Sequence, residues 1–244
     1  VNKHDEPYIC LIQEYLGMDM QAFLKPCSYR DGTPVFRSRL SNLDMIQDLC
    51  GQMAVGLRHV HAAGIAHRDI NPDNILIDTT NSHRVKLCDF GLSKYVIPSE
   101  QDEGVSSVGK AGGAVGFRAP ELQLARTGID YQRGDIWSLG AVFYNLAFGR
   151  LFHRPMVIDE TYSVEIPPLD EFIQLHRDGL AGRVRGTSIA HGYSTARDTD
   201  GPETDEASVT PPAAVDVDDT KLLASFRDLL KQMLCNDPNE RLTI

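Results

Sequence analysis

HRDINPDN, residues 67–74 (His67 to Asn74), lies between two segments of different periodicity, and that contrast decides the fold. Upstream, Leu43, Ile46, Cys50, Met53, Ala54, Leu57 and Val60 recur every three or four positions. That is one face of an amphipathic helix over Leu43 to His61, with Ser41 or Asn42 as its N-cap and Gly64 closing it. Downstream, Ile75 to Ile77 and Val85 to Cys88 are short β-like runs around the polar turn Asp78 to Arg84, and they read as a hairpin. The octet is therefore a loop joining a helix to a hairpin, and Asp89 follows the second strand.

Farther out, residues 8–16 (YICLIQEYL) form an apolar run without helical period, predicting one buried strand that Gly17 ends. Residues 99–113 are rich in Ser, Gly and acids and read as a loop. Asp135 begins a helix over Ile136 to Phe148 that is apolar all round, hence a core helix ended by Gly149. Leu169 to His176 is weakly amphipathic, and Arg183 to Asp219 is a polar tract, poor in aromatics, of disordered composition. The last helix spans Lys221 to Leu234, capped by Asp219 or Thr220, with Leu222, Phe226, Leu229, Leu230 and Met233 on one face. Strand, hairpin, then helices gives an α+β class with a mostly helical body.

Composition narrows the function. The 244 residues suffice for one domain with a sizeable core. Thirty-four acidic against 24 basic residues leave a net charge of −10, which disfavours nucleic acid and anionic membrane as partners. Cys10, Cys27, Cys50, Cys88 and Cys235 are odd in number and without a Cys-x-x-Cys pair, so neither a disulfide framework nor a zinc site is indicated. No apolar run approaches the roughly 20 residues of a membrane-spanning helix, and the first residues lack a secretory leader's pattern. A cytoplasmic or nuclear setting is expected.

The octet 67–74, followed in order by Asp89-Phe90-Gly91 and Ala119-Pro120-Glu121, resembles the signature set of the protein kinases. Each triplet alone is a weak signal, and their order and spacing carry the resemblance. It runs from a hinge strand at Ile9 to Asp237-Pro238-Asn239-Glu240-Arg241, so residues 1–244 are expected to be the hinge and C-terminal lobe of such a domain, with 183–219 an insertion. The resemblance implies transfer of the ATP γ-phosphoryl group to Ser or Thr hydroxyls of a protein substrate. It also implies Asp69 as the base, and Asn74 and Asp89 as ligands of Mg²⁺. For the nucleotide it implies Gln13 as gatekeeper, the Glu14 carbonyl and Leu16 amide at the adenine edge, Leu76 beneath the ring and Asp19 at the ribose. Asp135, Trp137, Gly140 and the pair Glu121–Arg241 match scaffold positions.

Two positions depart from that pattern. Where a lysine normally reaches the γ-phosphate, two residues after the base, Asn71 stands and is expected to offer a neutral hydrogen bond instead of a charge-assisted one. The threonine that contacts both that lysine and the aspartate is replaced by Ala114. No glycine-rich loop or Val-Ala-x-Lys strand precedes Val1, so this stretch by itself is expected to transfer phosphate poorly. The rival expectation is a pseudokinase lobe kept for its surfaces. Ser106 and Ser107 lie in the predicted loop, where an activating kinase is expected to place a phosphate against Arg68 and Lys94.

Overall fold

The structure, a computed structural model, describes residues 12, 14, 16–24, 28–30, 33–35, 43–79, 83–96, 113–114, 116–124, 129–148, 163–185 and 217–244. Of the strand expected over residues 8–16, only 12, 14 and 16 fall within that set. None of the three is in a strand, and Ile12 is 94% exposed. Among the described residues the first strand follows Gly17: β1 is Met18–Asp19. Pairing decides this, since Met18 lies opposite Ile77 and Asp19 opposite Leu76.

Asp19 then caps α1 (Met20–Leu24), its Oδ1 accepting the Ala22 N–H at 2.6 Å. A small antiparallel hairpin of β2 (Ser28–Arg30) and β3 (Thr33–Val35) follows, for which the sequence reading had no signal. α2 (Leu43–Ala62) forms over the periodic segment, burying Ile46, Leu49, Cys50, Met53 and Leu57, and Gly64 ends it by donating to the His61 carbonyl. The expected caps, Ser41 and Asn42, lie outside the described residues.

β4 (Ile65–Ala66) leads into the 67–74 loop, whose last three residues, Pro72–Asn74, make one 3-10 turn. The predicted hairpin is present as β5 (Ile75–Ile77) and β6 (Val85–Leu87), closed by the Asp78 N–H donating to the Arg84 carbonyl. With β1 it completes a three-stranded sheet in the order β1-β5-β6. β7 (Lys94–Tyr95) returns to pair antiparallel with β4, clamping both ends of the segment that carries the loop and Asp89.

The helical body packs beneath. α3 (Pro120–Gln123) is a single turn, and α4 (Tyr131–Phe148) is buried on nearly every side, as its uniformly apolar sequence requires. α4 starts before the expected Asp135 because Asp130 caps it, accepting the Arg133 N–H at 3.1 Å. α5 (Leu169–Arg185) and α6 (Val217–Met233) flank α4, with Phe148 edge-on to Phe172 at 4.9 Å between ring centres. Both helices exceed their expected bounds, so the two ends of the polar 183–219 tract are helical. α5 continues past its apolar period through proline-free sequence, and Asp219 suits the positive N-terminal end of α6. Residues 186–216 lie outside the described set.

α4 and α6 approach so closely at Gly140 that a Cβ there would sit 2.9 Å from the Met233 Cβ. This dry helical layer is the rigid floor on which the 67–74 loop rests. The observed mixture of short sheets and helices agrees with the α+β expectation.

Candidate active site

The loop is held from below by one carboxylate. Asp135, 1% exposed on α4, accepts the His67 N–H on Oδ2 and the Arg68 N–H on Oδ1, each at 2.7 Å, and His61 Nε2 also meets Oδ2 at 3.0 Å. These bonds hold Arg68 in a left-handed conformation, φ 70°, which is uncommon for a side chain of its size. His67, fully buried, braces the loop from within: Nδ1 accepts the Asp69 N–H at 3.3 Å, so Nε2 carries the proton and donates to the Cys88 carbonyl at 3.0 Å.

The Asp69 carboxylate is fixed at both oxygens. Asn71 Nδ2 donates to Oδ1 at 2.9 Å, Asn74 Nδ2 donates to Oδ2 at 2.8 Å, and the Ala114 N–H reaches Oδ1 at 3.2 Å. Asn74 makes a second bond to the Asp69 carbonyl at 2.9 Å. A carboxylate so held has one orientation, which is what a proton acceptor for an incoming hydroxyl needs.

Asn71 is engaged within the loop. Its Oδ1 accepts the Asp73 N–H at 2.9 Å, capping the 3-10 turn, and its Nδ2 is turned onto Asp69, so both ends of this buried amide serve the loop. A neutral side chain of this length forms an Asx-type cap, for which a lysine has no acceptor.

Asn74 and Asp89 are brought together by the backbone: the Cys88 N–H donates to the Asn74 carbonyl at 3.0 Å. Asp89 adopts φ 60°, and its Oδ1 accepts the Gly91 N–H at 3.1 Å. With the Asn74 nitrogen on Asp69, the carbonyl oxygen is that side chain's remaining metal-binding atom. Together with the exposed Asp89 carboxylate it makes a hard-oxygen donor pair that fits Mg²⁺. Phe90 packs on the His67 ring at 4.7 Å between centres, tying Asp89 back to the loop.

The residues expected at the nucleotide base are partly assembled. The β1–β5 register sets Asp19 opposite Leu76, and Leu16 is buried just before β1. Cys88 senses the same end of the sheet. Burial chiefly pushes its thiol pKa up, helped by the negative charges of Asp89 and Asp19. Asp19 already caps α1 with one oxygen, a structural duty the sequence reading did not foresee. Glu14 is exposed, and its carboxylate bonds Lys86, which holds it below the usual carboxylate range. Gln13, Ser106 and Ser107 lie outside the described residues. Arg68 and Lys94 converge on the Tyr131 ring, 4.6 and 5.4 Å from its centre.

Three functional contacts escaped the sequence reading. These are His61 on Asp135, the Ala114 N–H on Asp69, and Arg118, whose Nη2 donates to the Gly113 carbonyl at 2.6 Å. Ala114 had been singled out for the hydroxyl it lacks and not for its N–H, and Arg118 left a trace as a charged residue just before Ala119-Pro120-Glu121.

Known proteins resemble this chain over most of its length. The family model described as protein kinase domain matches residues 2–244. The chain is 32% identical over 244 residues to cell division control protein 2 homolog 2 of Trypanosoma brucei brucei, covering 98% of the chain and 59% of that protein. It is 27% identical over 236 residues to mitogen-activated protein kinase HOG1 of Colletotrichum orbiculare, covering 96% of the chain and 55% of that protein. It is 35% identical over 164 residues to protein kinase gsk3 of Schizosaccharomyces pombe, covering 66% of the chain and 38% of that protein.

Proposed function

The chain belongs to the protein kinase family, and on that premise we propose that the protein containing it transfers the γ-phosphoryl group of ATP to Ser or Thr hydroxyls of a protein substrate. One observation carries the reading: Asp69 is held by Asn71, Asn74 and the Ala114 N–H, while Asn74 is itself tied by the backbone to the segment bearing Asp89. Base and donor pair thus form one unit. The Ser/Thr preference rests on the sequence, which lacks the arginine of the tyrosine-kinase catalytic loop.

In this reading Asp69 accepts the proton of the attacking hydroxyl, its orientation fixed before substrate arrives. Asn74 and Asp89 hold Mg²⁺, which when bound neutralises charge on the phosphates. Leu16, Leu76 and Asp19 lie at the β1–β5 end of the site and receive the nucleoside. A phosphate on Ser106 or Ser107 is proposed to reach Arg68 and Lys94, the two cations over Tyr131. The cytoplasmic or nuclear setting belongs to the same proposal. A second reading, a pseudokinase that binds without catalysis, draws on Asn71 being spent on the loop.

Labelled ATP with Mg²⁺, offered to the longest natural form of the protein beside its Asp69→Asn variant, separates the two. Transfer onto Ser or Thr that falls about a hundredfold or more in the variant supports the enzyme. Equal incorporation with both proteins, or none, leaves the binding module.

A further inference from the structure

The two positions that depart from the kinase pattern meet at one atom. Asn71 Nδ2 donates to Asp69 Oδ1 at 2.9 Å from within the loop, and the Ala114 N–H donates to the same oxygen at 3.2 Å from a segment 45 residues away. The orientation of the Asn71 amide follows from its partners. Its oxygen faces the Asp73 N–H at 2.9 Å, which only an acceptor satisfies, and its nitrogen faces two acceptors, Asp69 Oδ1 and, at 3.2 Å, the Asp69 carbonyl. Both amide hydrogens are therefore spent on Asp69, and the residue is only 4% exposed. Its backbone carbonyl is engaged as well, accepting the Asn74 N–H at 3.1 Å.

Resting on the phosphoryl-transfer reading above, we propose that Asn71 is a positioning residue for Asp69 and does not contact the nucleotide: with the Ala114 N–H it holds Oδ1 of the base through neutral donors, and transfer proceeds without a cation at position 71. Asn74 holds the other oxygen, so the bond from Asn71 completes the constraint on the rotation of the carboxylate. A base fixed in this way meets the incoming hydroxyl in one geometry, which raises the rate of the chemical step and leaves ATP affinity unchanged. A lysine at position 71 has no acceptor for the Asp73 N–H, so it would uncap the 3-10 turn that carries Asn74. The added cation is therefore expected to lower transfer, not to raise it.

The test compares wild type, Asn71→Ser, Asn71→Asp and Asn71→Lys in the longest natural form of the protein, at a temperature where circular dichroism shows them folded. Serine and aspartate each keep an oxygen for the Asp73 N–H and lose the donor to Asp69, so they leave the turn capped and release the base. Asn71→Ser is expected to lose about tenfold in kcat, and Asn71→Asp, which sets a second carboxylate against Asp69, about a hundredfold. Asn71→Lys is expected to lose about tenfold. Binding gives the second readout. With Mg²⁺, Asn71→Ser binds ADP and a non-hydrolysable β,γ-imido ATP analogue within about twofold of wild type, because position 71 touches neither. Wild-type kcat in Asn71→Ser, a raised kcat in Asn71→Lys, or weakened binding of the imido analogue alone in Asn71→Ser overturns the proposal and leaves the kinase reading standing. The last two outcomes would mark position 71 as a phosphate contact. If Asn71→Lys does not fold, the serine and aspartate variants decide alone. A wild-type protein that transfers no phosphate overturns both.

Discussion

Arg241 reaches Glu121 across 120 residues of sequence, its Nη1 donating to Oε1 at 2.7 Å and its Nη2 to Oε2 at 3.1 Å, with both side chains at most 4% exposed. The same guanidinium donates to the Arg133 and Cys235 carbonyls and lies 5.2 Å from the centre of the Trp137 ring. This one side chain joins α3, α4 and the C-terminal turn. Its carboxylate partner opens the turn that follows the segment lying over Asp69.

Removing one partner leaves the other buried and uncompensated. Glu121→Ala or Arg241→Ala is expected to cost about 3–5 kcal/mol of stability. The double variant should cost less than the sum of the singles, because the pair acts as a unit. Urea denaturation of the three variants checks this, and additive losses would show that each residue acts independently.

Asp135 organises the catalytic loop from beneath through two backbone N–H groups and His61. Asp135→Asn replaces one accepting oxygen by a donor facing a donor, with an expected loss of about 2–3 kcal/mol. Because the Arg68 conformation depends on these bonds, kcat should fall further than the nucleotide KM changes. A variant with lowered stability but wild-type kcat would separate the buried anchor from the chemistry.

Gly113 has φ 98°, and a Cβ there would meet the Arg68 carbonyl at 3.2 Å. Gly113→Ala therefore combines backbone strain with a tight contact, about 1–3 kcal/mol in all. The strain falls on the residue next to Ala114, whose N–H holds Asp69. Phosphoryl transfer is expected to drop at least tenfold at a temperature where the variant remains folded by circular dichroism, and an unchanged rate would refute this.

Burial raises the Cys50 thiol pKa above its ordinary value of 9.0. The folded state then keeps a proton that the unfolded state loses, so this contribution is fully present below pH 9 and is lost as pH rises above it. The expected slope is roughly 1 kcal/mol per pH unit. Cys50→Ala should be less stable at neutral pH, from the lost side-chain volume, yet show a shallower decline between pH 9 and 10.5. Parallel curves in denaturant titrations across that range would contradict the assignment.

The sequence by itself pointed to the residues proposed for the chemistry and determined the elements that carry them. HRDINPDN, Asp89 and the two periodic segments are local patterns, and α2, α4 and the β5–β6 hairpin arise from neighbours within a few positions of one another. Element ends were less legible. The start of α4 depends on Asp130 as a cap, and β1 forms only where β5 lies beside it. What tertiary structure alone decided is how the site is held: the Ala114 N–H on Asp69 is 45 residues distant in sequence, and Asp135 beneath His67 is 68 distant. It also committed Asn71 to the loop and turned Arg118 onto the Gly113 carbonyl. Spacing along a chain names the groups a reaction needs, but a hydrogen bond has reach only across about 3 Å of space, and packing alone brings distant segments that close.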